Sequence, residues 1–203
     1  MRLAERKHQP QLVARVRRSA RHRSAGWFGL LGLVCLVFPL TAAWAQQQRA
    51  NEYDVKSAYL YNFGRFVEWP NKSTDKEDLF AICVLGHDPF GAALDAALAG
   101  QTVGGQKAVA KRISKAEDAA GCRVLFISGS EDGQLKNIIA ALDHMGILTV
   151  SDMPQFSQRG GMIQFVPEGN RVRFEVNLKS VQDAGLMLSS ELLKVAVTVR
   201  RNG

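Results

Sequence analysis

The stretch LFAICVLG, Leu79 to Gly86, decides the fold. It is a near-continuous apolar run, followed by a turn at Gly86–Pro89. A strand reads this way when it lies in a parallel sheet and is buried on both faces. Two other runs share the pattern: RVLFIS at Arg123–Ser128 and GILTV at Gly146–Val150. Helical segments lie between them: Phe90–Leu98, closed by Gly100, and Gln134–Asp143, with Ser130-Glu131-Asp132 as its cap. Lys107–Ile113 alternates apolar and basic residues, which predicts a more exposed strand. Strands alternating with helices imply an α/β fold, with a mainly parallel sheet flanked by helices on both faces.

The pattern changes after Gly160-Gly161. Met162–Val166 and Val172–Leu178 flank the turn cluster Pro167-Glu168-Gly169-Asn170, which predicts a C-terminal antiparallel hairpin. Ser151–Gln158 reads as a loop or broken turn. Asn177 is placed to cap a last helical stretch through Leu186, Leu188, Leu192, Leu193 and Val197. On the N-terminal side, AYLYNFGRFVEWP (Ala58–Pro70) crowds aromatic rings into one segment. Val55, Tyr59, Phe63 and Phe66 recur at helical spacing, so one helix face is expected to carry them. Glu52 and Lys56 stand at i and i+4 in the favourable order. Pro70 ends the segment, and Asn71–Asp78 is a charged loop. Tyr59, Phe63 and Phe66 are expected in the core. Tyr61, Arg65, Glu68 and Trp69 lie off that stripe and form a candidate partner-binding face, because Tyr, Trp and Arg favour protein contacts.

The N-terminus reads as a targeting device. Arg2, Arg6, Lys7, Arg15, Arg17, Arg18, Arg21 and Arg23 form a basic region, and an apolar run spans Trp27–Leu40. Ala43-Trp44-Ala45 then offers a small-residue cleavage site. This is the three-part pattern of a secretory signal peptide over residues 1–45, with an uncleaved anchor as the alternative. Residues 46–51 form a polar leader, and one domain is expected over 52–199. The whole chain carries 26 Lys and Arg against 19 Asp and Glu. The signal holds 8 and 1 of these, so the exported chain carries 18 of each and is neutral. That balance gives no support for nucleic-acid binding, which needs a basic patch on the folded part.

Two cysteines, Cys83 and Cys122, remain after cleavage. In an oxidising compartment such a pair reads as a disulfide, with two buried free thiols as the alternative. Catalytic patterns are incomplete. His87 and His144 are far apart, and no zinc-type spacing occurs, so no metal or other cofactor is expected. GSEDG (129–133) places Ser130 one position early for a nucleophile elbow. GHDPFG (86–91) lacks the Lys-Ser/Thr of a phosphate loop. A non-enzymatic role follows. Ligands in open parallel sheets sit beyond the carboxyl ends of strands. His87, Asp88, Ser130 and Asp152 lie at those ends and form a candidate ligand crevice, unless these residues only turn and cap the chain.

Five segments occur in order: KSAYLYNFGRFVEWP, ICVLGHDPFG, GCRVLFIS, ILTVSDMPQFSQRGGMIQFV and RVRFEVNLKSVQDAGLMLSSELLKVA. Together they resemble the YfiR family of bacterial periplasmic proteins. Cys83 and Cys122 match the family's paired cysteines, while a second pair found in some relatives is absent here. The resemblance implies a sheet flanked by helices, commonly in a homodimer. It also implies a regulator that represses an inner-membrane diguanylate cyclase by binding its periplasmic portion, lowering cyclic di-GMP and biofilm formation. A peptidoglycan-binding outer-membrane lipoprotein is the implied sequestering partner. A periplasmic small-ligand sensor is the alternative reading.

Overall fold

A computed structural model describes residues 52–69 and 79–201. The expected signal peptide, the leader at 46–51 and the loop at 71–78 fall outside the described residues. The described chain opens with helix α1 (residues 52–66), followed by β1 (Val67–Glu68), β2 (Leu79–Leu85), α2 (Ala92–Leu98), β3 (Thr102–Val103) and β4 (Gln106–Ile113). Then come β5 (Cys122–Ile127), α3 (Leu135–Ala141), β6 (Leu148–Ser151) and the hairpin β7 (Ile163–Glu168) and β8 (Arg171–Asn177). The last elements are α4 (Leu178–Asp183), β9 (Met187–Leu188), α5 (Ser190–Val195) and β10 (Thr198–Arg200). Short 3-10 turns cover Ala116–Ala119, Gly129–Gln134 and Phe156–Gln158.

The expected α/β fold is present. Eight strands form one sheet in the order β10-β8-β7-β6-β5-β2-β4-β3. β4, β2, β5, β6 and β7 run parallel, β7 and β8 form the antiparallel hairpin, and β10 lies parallel to β8. Both faces are covered, which is why β2 reads as a continuous apolar run. Phe80, Ile82 and Val84 enter the core beneath α1, α2, α4 and α5. Ala81, Cys83 and Leu85 enter the core beneath α3 and the 3-10 turns. The two sets alternate with the strand's period of two.

Cys83 and Cys122 form a disulfide, with Cα atoms 5.9 Å apart. The register explains how they meet. Ala81 pairs with Cys122 but Ile82 pairs with Val124, so one extra residue, Arg123, is accommodated in β5. The shift puts Cys122 on the same face as Leu125 and Cys83, inside one buried cluster.

The structure corrects three expectations. The first concerns α1. Val55 and Phe66 are exposed at 45% and 36%, while Lys56, Ser57, Leu60, Phe63, Gly64 and Val67 are buried. The seated face is turned by roughly one residue, about 100° around the axis, from the ring stripe. Phe63 belongs to both faces and packs on Phe165 and Phe174 at 5.8 and 5.1 Å. Gly64 sets the turn: a Cβ there would lie 2.8 Å from the Phe80 ring, so the helix backbone meets the sheet at this point.

The second correction concerns α3. Ser130-Glu131-Asp132 does not cap it; the segment is itself a 3-10 turn, and α3 starts at Leu135 with no side-chain cap. The third concerns the C-terminal helix, which is two helices with a strand between them. Asn177 does cap α4, accepting from Ser180 N–H at 3.1 Å. Gly185 then takes φ 73°, a left-handed turn that ends the helix. β9 pairs antiparallel with β1, and Ser189 caps α5 by accepting from Leu192 N–H.

The disulfide spans 39 residues, and its sulfurs lie in a buried cluster. The chain-entropy model gives such a loop roughly 4 kcal/mol, before any native strain. Replacing both cysteines with serine should lower the unfolding free energy by about 2–4 kcal/mol. Denaturant melts should show it as a lower midpoint with the native circular dichroism retained.

Candidate functional site

The residues expected at the strand ends fall into three separate local structures. β2 and β5 are neighbours whose outgoing chains cross to opposite faces, the switch point at which open α/β sheets bind ligands. His87 and Ser130 meet there. Ser130 Oγ accepts from His87 N–H at 3.0 Å and donates to Glu131 Oε1 at 2.7 Å. Here the hydroxyl ties two loops together.

Asp88 belongs to a different structure. Its Oδ1 accepts from Phe90 N–H at 2.8 Å, and its Oδ2 accepts from Arg112 Nε at 2.9 Å. Arg112 also donates to both oxygens of Asp95, at 2.9 and 2.7 Å, and to the Gly91 carbonyl at 2.7 Å. One guanidinium thus pins the end of β4 to α2 and its entry loop. Hydrogen bonding from Arg112 holds the Asp95 carboxyl below its ordinary range, and hydrogen bonding to Asp95 raises Arg112 in turn.

Asp152 turns to α1. Its Oδ2 accepts from Tyr53 Oη at 2.9 Å and from Lys56 Nζ at 2.6 Å. Lys56 is only 4% exposed and also pairs with Glu52 at 2.6 Å. Its ammonium sits 4.4 Å from the Tyr53 ring centroid. A buried ammonium is costly unless paired, and here two carboxylates and an aromatic face compensate it. These side chains form one wall of an open groove of about 1260 Å³, whose other walls are the β7–β8 hairpin and the end of α5. The i, i+4 spacing of Glu52 and Lys56 was legible in the sequence. Their link to Asp152, about a hundred residues away, carried no sequence signal.

The candidate partner face gathers where α1 ends. Arg65 and Glu68 are exposed, and the Arg65 guanidinium lies 5.8 Å from the Tyr61 ring centroid. Tyr61 Oη donates to the Thr102 carbonyl at 3.3 Å. Trp69 is half-buried, edge-on to Phe80 at 5.3 Å. Phe66 and Met187, 36% and 56% exposed, stand beside these residues through the β1–β9 pairing. Sequence reasoning missed Met187, which reaches this face only through that pairing. No helix among the described residues is long and apolar enough to cross a membrane. No cluster of three or more His, Cys, Asp or Glu suited to a metal occurs among them.

Two predictions follow from these networks. Asp152→Ala leaves the buried Lys56 with Glu52 alone, which is half in solvent, and should cost about 1–3 kcal/mol. The double change Lys56→Met with Asp152→Leu should recover much of that loss in the same denaturant assay. The second concerns acid. Because the folded Asp95 carboxyl is depressed, its contribution is complete above the unfolded value of about 3.9 and is lost as pH falls through the lower folded one. The stability gap between wild type and Arg112→Leu should therefore narrow from about pH 7 to about pH 3.

Comparison with known proteins adds the family. A family described as YfiR/HmsC-like matches residues 53–197. The chain is also similar to a conserved domain protein from Vibrio cholerae O1 biovar El Tor, at 12% identity and a TM-score of 0.45, over 59% of this chain and 54% of that one. It is similar to the ABC domain in complex with L-Trp from Streptococcus pneumoniae, at 11% identity and a TM-score of 0.43, over 59% and 55%. The chain thus spans just over half the length of each of these structures. The family match extends from the first turn of α1 to the residue before β10, so the chain belongs to the YfiR/HmsC-like family, and that membership supports a regulatory role in the cyclic di-GMP pathway.

Proposed function

We propose that the protein is an exported regulator that holds an inner-membrane diguanylate cyclase inactive by binding its periplasmic portion. The observation that carries this reading is the family match across residues 53–197, which takes in nearly the whole described fold. The N-terminal pattern over residues 1–45 supports export to the periplasm by a cleaved signal. The buried Cys83–Cys122 bond suits an oxidising compartment. The output is occupancy of a partner, not turnover. A repressor of this kind shifts a cyclase only by binding its inactive state more tightly than its active one. A peptidoglycan-binding outer-membrane lipoprotein would release the cyclase by competing for the same regulator, and a homodimer is the expected resting form.

The face around Arg65, Phe66, Glu68 and Met187 supports a protein contact, because it combines exposed apolar and charged side chains. The small-ligand alternative has less support. Of its four residues, Ser130 ties two loops together through the His87 backbone N–H, Asp88 holds Arg112, and Asp152 pairs with Lys56.

Deleting the gene should raise cellular cyclic di-GMP, and the exported protein should restore the low level. The same chain without residues 1–45, kept in the cytoplasm, should not. Arg65→Glu is the cleaner contact variant, since Arg65 is exposed while Trp69 packs on Phe80. It should weaken repression and leave the melting temperature unchanged. Unchanged cyclic di-GMP in the deletion strain, with its periplasmic-domain cyclases present, would overturn the proposal.

A further inference from the structure

The groove beside Lys56 has a use that the proposed repression does not require. It lies between the first turns of α1, the β7–β8 hairpin and the end of α5. Its charges divide into two groups. Glu52 and Asp152 are each paired to Lys56 at 2.6 Å. The opposite wall carries Arg171, Arg173 and Lys194. Arg173 reaches Glu168 at 3.5 Å and the Val195 carbonyl at 3.4 Å. Arg171 and Lys194 are exposed, and neither meets a carboxylate among the described residues. This wall therefore holds three cations against one nearby carboxylate.

The groove also offers apolar surface. Val55 on α1 and Val195 on α5 are 45% and 54% exposed and line it from opposite sides. Tyr59 also lines it, with its hydroxyl donating to the Val172 carbonyl at 3.3 Å. Isolated exposed valines need no explanation. Two from distant parts of the chain, facing one groove beneath a cationic rim, form a composite surface. Size narrows the occupant. Small-molecule sites usually enclose about 300–1,000 Å³, whereas this groove is open and measures about 1260 Å³. β10 pairs with β8 only at Glu175–Asn177, so the groove-lining stretch Arg171–Arg173 is paired with β7 alone. The charged and apolar side chains that line the groove set which segment it prefers.

We propose that this groove docks an acidic segment of a second protein, with carboxylates at Arg171 and Lys194 and aliphatic side chains between Val55 and Val195. The site is separate from the Arg65–Met187 face, so the regulator has two contact surfaces. Charge on the rim makes the contact salt-sensitive and sets its partner preference, while the valines supply the desolvated centre.

The test uses purified chain without residues 1–45 and an array of synthetic peptides of equal length. The peptides are acidic–aliphatic, basic–aliphatic, or acidic without aliphatic residues. The acidic–aliphatic class should be retained preferentially, and its binding should weaken as salt rises. The double variant Arg171→Glu with Lys194→Glu should bind that class at least about tenfold more weakly, with an unchanged melting temperature. Val195→Asp, on the apolar wall, should also weaken it. No preference among the classes, or retention unaffected by charge reversal, would overturn the proposal. Full displacement of the peptide by an equal concentration of free glutarate would assign the groove to a small carboxylate and also overturn it. So would a monomer–dimer shift on charge reversal in sedimentation, which would assign the groove to a second copy of this chain. Because the assay contains no cyclase, its outcome is independent of whether the cyclase reading holds.

Discussion

Helix α1 seated on the sheet is the contact on which the rest of the molecule depends. Leu60 and Phe63 are fully buried there, and Gly64 lets the backbone meet the Phe80 ring. Each large apolar side chain buried in this way contributes about 1.5–3 kcal/mol. Glycine inside a helix costs about 1 kcal/mol relative to alanine, so the close approach at Gly64 must return more than it costs. Phe63 adds an aromatic cluster with Phe165 and Phe174, joining the start of the fold to the hairpin near its end. Without α1, the part of this core that Leu60 and Phe63 fill, between Phe80 and the hairpin, would be open to water.

Later segments of the chain close over the same helix. β9 pairs with β1, and Ser189 N–H donates to the Phe66 carbonyl at 2.9 Å. Leu186 and Leu192 enter the same core as Leu60. The helix therefore supplies both candidate surfaces. Its first turns form a wall of the groove, and its last turn carries the Arg65–Trp69 face. The opposite side of the sheet is held differently, by α3 and the 3-10 turns over the Cys83–Cys122 bond. Covalent and hydrophobic restraint combine there.

What the sequence disclosed follows from how local each signal is. β2, β5 and β6 were legible because a strand buried on both faces must be apolar at every position, whatever its neighbours. The hairpin was legible because its turn residues are adjacent in the chain. The seated face of α1 was not, because its largest rings outweighed Leu60, Gly64 and Val67, and what selects that face is Phe80 on another element. The split of the last helix depended on Gly185 and on Ser189 as a second cap, and the pairing of β9 with β1 drew on a segment some 120 residues earlier. The residue types at the strand ends were read correctly as polar, but their partners were not. Asp88 faces Arg112, and Asp152 faces Lys56. The groove was invisible for the same reason, since its walls come from α1, the hairpin and α5.

Native-state hydrogen exchange tests the central role of α1 most directly. If the helix and the sheet form one cooperative unit, the amides of Leu60, Phe63 and Gly64 should exchange only through global unfolding. Their opening free energy should then match that of Ile82 and Val84 in β2 and fall with denaturant at the same slope. Exchange of the α1 amides at a much lower free energy, with β2 still protected, would show that the helix detaches by itself. It would contradict an account in which both candidate surfaces rest on a helix held fast to the sheet.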